Sequence, residues 1–464
     1  MKSNPQRISI IPFVLVTLLL AGSRLCPAAN VSKGNNGTAL NSSASWVGGT
    51  GPGPSDIALW DTNVTSASSA SLGGDVSWGG LALGNYPPYA TYVNDPVGSV
   101  TITNAGLNTL TLGASGIDLS ISTNWNLTIT NNNISLTGNQ TWNVYAGKTA
   151  TIGGNVSGTG NILKLGAGIL NLCGTNGFSG QLIGGGGQVN LNFNTTTAPT
   201  NNLLNPSQPL VFDYDGAAIT LNGKAGTTNT QTLNGVQLKS GVGSINTVPG
   251  GSGGSNYVDI GAITRSRGGG AINFGPLSAA GPIHTTATND ASGIVGPWAT
   301  IASTAFSLNS GANTFATNWA SVDANGYVTN YNGWTVLSGA SPTIANGATS
   351  NVRIDSGSTG NSAVGAGTTT VNTLGMNDTV NARTVSIPAG NILRLGGRGG
   401  VLRTPSAKVL TIGTAAGVGV LTAGGADNTA GELIINSQSA PTTRVAQILR
   451  SILRSLTMVR DQCP

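Results

Sequence analysis

The sequence predicts an all-β protein, a right-handed parallel β-helix with a cap at its N-terminal end. Three observations carry that expectation. Short runs alternate apolar and polar residues, as in Val100-Thr101-Ile102-Thr103 and Leu127-Thr128-Ile129-Thr130, which is the period of a strand with one face buried. Turn formers separate the runs, and Gly alone is 70 of the 464 residues. The composition pairs 8% charged with 39% hydrophobic residues, so the chain is apolar enough to fold. It spreads that content evenly and does not gather it into one core.

Further runs fall at 110–112, 134–136, 142–144, 162–165, 169–172 and 189–191. Strands this short suit the rungs of a coil, stacked ~4.8 Å apart. Thr and Asn pack or hydrogen-bond in ladders from rung to rung, and Gly allows tight corners. Each layer touches only its neighbours, so such a fold reaches this length without a large central core.

Taken from the N-terminus, residues 1–28 read as a secretory signal peptide. Lys2 and Arg7 precede an apolar run over 8–22, and Cys26-Pro27-Ala28-Ala29 supplies small residues with cleavage after Ala28. Arg24-Leu25 before Cys26 does not fit a lipoprotein signal. No second run of that kind follows, so no transmembrane span is expected in the exported chain. Residues 30–95 are expected to cap the coil. Pro52, Pro54, Pro87, Pro88 and Pro96 interrupt ladders, and Trp46, Trp60 and Trp78 can cover the first rung. Residues 96–440 are expected to form the β-helix, with the Gly/Ser-rich stretch 241–256 and the Pro-containing stretch 276–297 bulging as loops. Residues 441–464 change character: Val445, Ile448, Ile452, Leu456 and Val459 share a helical face, with Arg450 and Arg454 on another. That is either a basic amphipathic helix for an anionic membrane surface or a tail foreign to the design, such as a shifted reading frame.

Within 158–191 the pattern becomes specific. Gly158-Thr159-Gly160 leads to Leu163-Lys164-Leu165, then Gly166-Ala167-Gly168, Leu170-Asn171-Leu172, Asn176, Phe178 with Gly180, and a closing strand over 188–191. This resembles the autotransporter-associated β-strand repeat, also called the passenger-associated transport repeat. Cys173 stands where Ser is more usual. Weaker resemblance covers 261–274 and 293–319, and Trp46 with 56–60 is similar to the opening segment of such passengers. The resemblance implies a surface or extracellular passenger, associated with the outer membrane, whose repeats serve stability and transport. The family's C-terminal translocator barrel is missing from this sequence.

Candidate chemistry is sparse. The net charge of +5 rests largely on Lys2, Arg7, Arg444, Arg450, Arg454 and Arg460, and no basic stripe interleaves with aromatics, so nucleic acid is not an expected partner. Three cysteines, Cys26, Cys173 and Cys463, give no disulfide framework. Gly147-Lys148-Thr149 ends like a phosphate-binding loop, but Trp142 stands where the first Gly belongs. The 250–254 stretch fits Gly-x-Ser-x-Gly without strand–turn–helix context, and its base would have to be His284, the chain's one histidine. One His and isolated Cys argue against zinc, and no calcium-binding nonapeptide run exists. No metal or cofactor is therefore expected.

Asp213 and Asp215 form the best acidic pair. On a strand they would share a face ~7 Å apart, within the range inverting glycosidases use, with Lys224 or Arg265 as a helper cation. The competing reading is a pair of solvated aspartates. The eight Trp residues either form a carbohydrate platform or pack at the ends and under loops. Two functions remain: a non-catalytic, adhesin-like or scaffolding surface passenger, and a polysaccharide-degrading β-helix enzyme using Asp213 and Asp215. Partners would be extracellular polysaccharide or cell-surface components.

Overall fold

The computed structural model describes residues 28–84, 98–103, 107–120, 124–266, 268–303, 316–415, 417–424 and 431–437. The leader and the basic tail lie outside the described residues. The described chain winds as a parallel β-solenoid of about 14 turns. Among the described residues no helix is long and apolar enough to cross a membrane.

The solenoid runs as two stacks. In the first, one long sheet leads from Asn30–Ser32 through Ile57–Trp60, Val76–Leu83, Thr109–Leu119, Gln140–Val144 and Ile162–Leu165 to Ile263–Arg265. A second long sheet carries Ser68–Ser71, Gly98–Thr103, Trp125–Ile129, Thr149–Ile152, Ile169–Leu172, Gln188–Asn192, Ala218–Asn222, Val242–Val248 and Ala271–Phe274. A short third sheet joins Thr228–Thr232, Ser255–Asp259 and Ile283–His284. Rungs pair in parallel; Ile162 sits beside Leu182, 20 residues on. The alternation read from the sequence is the alternation of burial: Val100, Ile102, Leu127 and Ile129 are at most 1% exposed, while the Thr residues between them stay half-buried on the outer face.

The described part of the segment expected as a cap carries rungs of the solenoid. Asn30–Ser32, Ile57–Trp60 and Val76–Leu83 are successive parallel rungs of the first sheet; residue 95 lies outside the described residues. The covering part is shorter. Lys33 bridges to Trp46, and the Trp46 ring meets Trp60 and Trp78 edge-on at 5.8 and 5.7 Å.

The 241–256 stretch is not a bulging loop. It contains the strand Val242–Val248, buried over 243–247. Its small residues are a packing requirement: a Cβ on Gly243 would lie 2.4 Å from the Phe212 ring. Beyond that strand, whose ends Val242 and Val248 are exposed, the exposed residues are 251–253 in the turn before Ser255. Residues 276–297 likewise contribute Ile283–His284 to the third sheet.

The single coil expected over 96–440 is divided. Ala299–Ala302, Ala316–Val322 and Val328–Asn330 pair antiparallel and close the first stack. A second stack then builds parallel rungs from Thr335–Gly339, Gly347–Ser358, Thr368–Met376 and Ile392–Arg403 to Glu432–Ser437, with its own core around Ile354, Leu374, Met376 and Leu395. Ile294, Trp319, Tyr331 and Leu402 join the two, and Trp319 Nε1 donates to Thr373 Oγ1 at 3.0 Å.

Candidate functional site

The carboxylate pair does not have the geometry a strand would give it. The strand Leu210–Phe212 ends one residue before Asp213. Asp213 and Asp215 sit in the turn that follows, where Tyr214 adopts φ 53° and the Gly216 N–H bonds back to the Asp213 carbonyl at 2.9 Å. The same-face relation of i and i+2 therefore fails. The Asp213 carboxylate accepts from Ser240 Oγ at 2.7 Å and from the Tyr214 N–H at 2.9 Å. The Ser240 hydroxyl above all holds its carboxyl below the ordinary value, the opposite of what a general acid needs. Arg265, one proposed helper, is engaged elsewhere, with Glu432 and the Gly269 and Gly270 carbonyls.

The tryptophans pack. Trp46, Trp60, Trp78, Trp125, Trp142 and Trp319 are at most 3% exposed, and Trp298 is buried beneath Arg265. Those seven present no platform to a sugar; Trp334 is half-buried, its ring against Tyr331 and beneath the Arg353 guanidinium.

The repeat at 158–191 is structural in every position that could be reactive. Lys164 faces inward, fully buried, between Trp142 and Gly184 on the adjoining rungs. Its Nζ donates to the carbonyls of Leu165, Gly166 and Gly186 at 2.7, 2.9 and 3.2 Å. Burial pushes its pKa down to about 7. Outside, Asn171 bonds Thr151 and Asn190 bonds Asn171, a ladder across three rungs. Cys173 is buried, and burial pushes its thiol up, away from reactivity.

One group of side chains escaped the sequence reading. Asp259 lies in register with His284, and His284 bridges to Tyr327. Tyr257, two residues before Asp259, shares its outward face. The imidazole stacks on Tyr257 at 6.3 Å (28° between planes), and Tyr327 meets both rings edge-on at 5.6 and 6.4 Å. His284 Nδ1 lies 3.1 Å from Asp259 Oδ1, off the line of a hydrogen bond and otherwise unpartnered. His284 figured in the sequence only as a base for Ser252; its neighbours here are Asp259, Tyr257 and Tyr327. Nothing local announces the cluster, because its members come from two strands and the isolated bridge at Tyr327, brought together by register.

No protein-family model matches the chain, and no solved structure matches it. Over 127 residues, 27% of its length, the chain is 37% identical to the adhesin BmaC autotransporter of Brucella suis biovar 1 (strain 1330). That stretch is 3% of the adhesin, so the chain spans a small part of this relative. The matched stretch and the parallel β-solenoid together bear out the resemblance read from the repeat at 158–191, that of an autotransporter passenger repeat protein.

Proposed function

We propose that this chain is a surface-displayed, non-catalytic passenger that acts as an adhesin-like or scaffolding element outside the cell. The observation that carries the reading is the 37% identity to an autotransporter adhesin on a chain that folds as a parallel solenoid. The chemistry is in keeping with it. Arg265 with Glu432 and Arg383 with Asp378 are tied up in structural ion pairs, whereas acid–base catalysis needs positioned groups with tuned pKa values. The enzyme reading loses support because Asp213 and Asp215 occupy a turn and not one strand face.

In this reading residues 1–28 direct export, the solenoid projects from the outer surface, and its partners are extracellular polysaccharide or cell-surface components. Two measurements test it. Protease added to intact cells should degrade the chain; full protection would end the display reading. Purified chain incubated with plant and microbial polysaccharides should release no reducing ends, and release that vanishes in Asp213→Asn would restore the enzyme.

A further inference from the structure

We propose that Tyr257, Asp259, His284 and Tyr327 form a binding subsite for a neutral sugar on the third sheet of the solenoid. The proposal rests on the display reading for access to extracellular glycans, and on the cluster's own geometry for everything else.

Three rings gather on one face although the chain is poor in aromatics, at 5%. Other outward aromatics, such as Tyr145 and Tyr214, are exposed at separate places. Tyr257, His284 and Tyr327 are half-buried, so each ring is fixed by its neighbours yet keeps surface in water. A ring in that state offers an apolar face and a polar rim, the surface that the C–H face of a pyranose can cover.

Polar groups border the rings in the next positions of the sheet. Thr230 is in register with Tyr257 and Thr232 with Asp259. Thr230 donates to Asn201 at 2.6 Å, while Thr232 is an exposed residue. Among the described residues, neither phenol oxygen has a hydrogen-bond partner. Burial, then the Asp259 carboxylate and Tyr327, push the Tyr257 phenol up, and the Tyr257 and Tyr327 rings lie 6.4 Å apart beside the strand face that carries Asp259. A carboxylate, two phenols and a free hydroxyl match the vicinal hydroxyls of a sugar.

The frame is rigid. The His284 ring lies against Gly326, whose φ of +85° and missing Cβ both matter: a Cβ there would come within 2.5 Å of Nε2. The Gly326 carbonyl in turn accepts the Thr285 N–H at 2.9 Å. Such fixing lowers the ordering cost of binding.

The same features choose among ligands. A carboxylate beside two phenols disfavours acidic sugars and phosphates. Four side chains are far too small a patch for a stable protein partner, which takes ~800 Å² per side. A mono- or disaccharide unit of a neutral glycan fits the area and the chemistry.

The test uses the full exported chain with cellohexaose, chitohexaose, mannohexaose and, as the acidic probe, hexagalacturonate, read by saturation-transfer NMR and calorimetry. At least one neutral hexaose should bind and hexagalacturonate should not. Tyr257→Ala and Tyr327→Ala should each weaken binding about tenfold, the scale of one lost aromatic stack, with an unchanged circular dichroism spectrum. Tyr257→Phe, which keeps the ring and cannot disturb the fold as truncation can, should retain most of the affinity. The proposal is overturned if no neutral hexaose binds, if hexagalacturonate binds as well as the neutral probes, or if the Tyr257→Ala/Tyr327→Ala double variant binds like the parent. Protease accessibility on intact cells is independent of these variants, so a displayed chain blind to sugars would sink the subsite alone.

Discussion

The chain's one glutamate, Glu432, is held by Arg265 from 167 residues earlier, through contacts of 2.8 Å to Nη1 and 2.5 Å to Nη2. Their side chains are 16% and 4% exposed. Arg265 ends the last rung of the first stack's long sheet, and Glu432 opens the last described rung of the second. The guanidinium also lies 5.9 Å over Trp298 and donates to the Gly269 and Gly270 carbonyls. A paired fork of this kind is directional as well as charged.

Removing one partner of a buried pair costs about 3–5 kcal/mol, because the other charge is left in a poorly solvated place. Arg265→Ala should therefore loosen the contact between stacks. Hydrogen exchange over 432–437 should accelerate, while rungs such as Ile162–Leu165 keep their protection. A double-mutant cycle with Glu432→Gln should return a coupling above about 1 kcal/mol. Additive effects would mean the bridge is incidental.

A second prediction concerns pH. Burial pushes Lys164 down to about 7 from the ordinary 10.5. Between those values the unfolded chain holds a proton on this amine that the folded chain does not, so stability rises with pH across that window. Buried Lys33, also lowered by burial, acts in the same direction. Cys173 works the other way above its ordinary 9.0, since burial raises the thiol. The clean window is thus about pH 7 to 9. The three carbonyls around Nζ partly solvate the ammonium and reduce the effect, which is on the order of a few kcal/mol at most. Denaturation midpoints should climb from pH 7 to 9, and the climb should shrink in Lys164→Met. An unchanged slope in that variant would show that the carbonyls fully compensate the burial.

A third expectation follows for Asp213. It is half-buried at the surface, and its bonds to Ser240 and Tyr214 serve the turn. Asp213→Asn should shift the midpoint by less than about 1 kcal/mol, as surface changes usually do. A larger loss would show that this corner holds the adjoining rungs in register.

How far the sequence disclosed this molecule depends on how local each feature is. The strands Ile162–Leu165, Ile169–Leu172 and Gln188–Asn192 fall where the repeat places them, because alternation is written into consecutive residues. Val242–Val248 was obscured because the small residues demanded by Phe212 look like a linker. Asp213 was misplaced by one residue, since nothing in Phe212-Asp213-Tyr214 announces a left-handed Tyr214. The stack boundary at 299–330 and the Tyr257–His284–Tyr327 cluster depend on which distant strands pair, and the sequence pattern does not encode that register. The inward Lys164 shows the remaining limit: apolar-Lys-apolar reads as an outward lysine by hydropathy, yet the outward residues are Leu163 and Leu165.

The last prediction concerns the first rung. Among the described residues Asn30–Ser32 pairs as a strand with Ile57–Trp60 alone; on its other edge the Ser32 carbonyl accepts the Val47 N–H at 2.9 Å, and the rest is a template for foreign strands unless covered. The cover is Trp46, 3% exposed, whose Nε1 donates to the Leu40 carbonyl at 2.9 Å while its ring plugs the space over Trp60 and Trp78. Trp46→Ala should cost about 3–5 kcal/mol locally and open that end. Trp142 is equally buried but lies between rungs in mid-stack, so Trp142→Ala should lower stability by a similar amount without freeing an edge. The two variants separate loss of packing from loss of cover. Light scattering and thioflavin fluorescence under native conditions should rise for Trp46→Ala and for a chain lacking 30–49, and stay low for Trp142→Ala. Equal aggregation of both tryptophan variants would show that instability alone drives it, and that this end of the solenoid needs no cap.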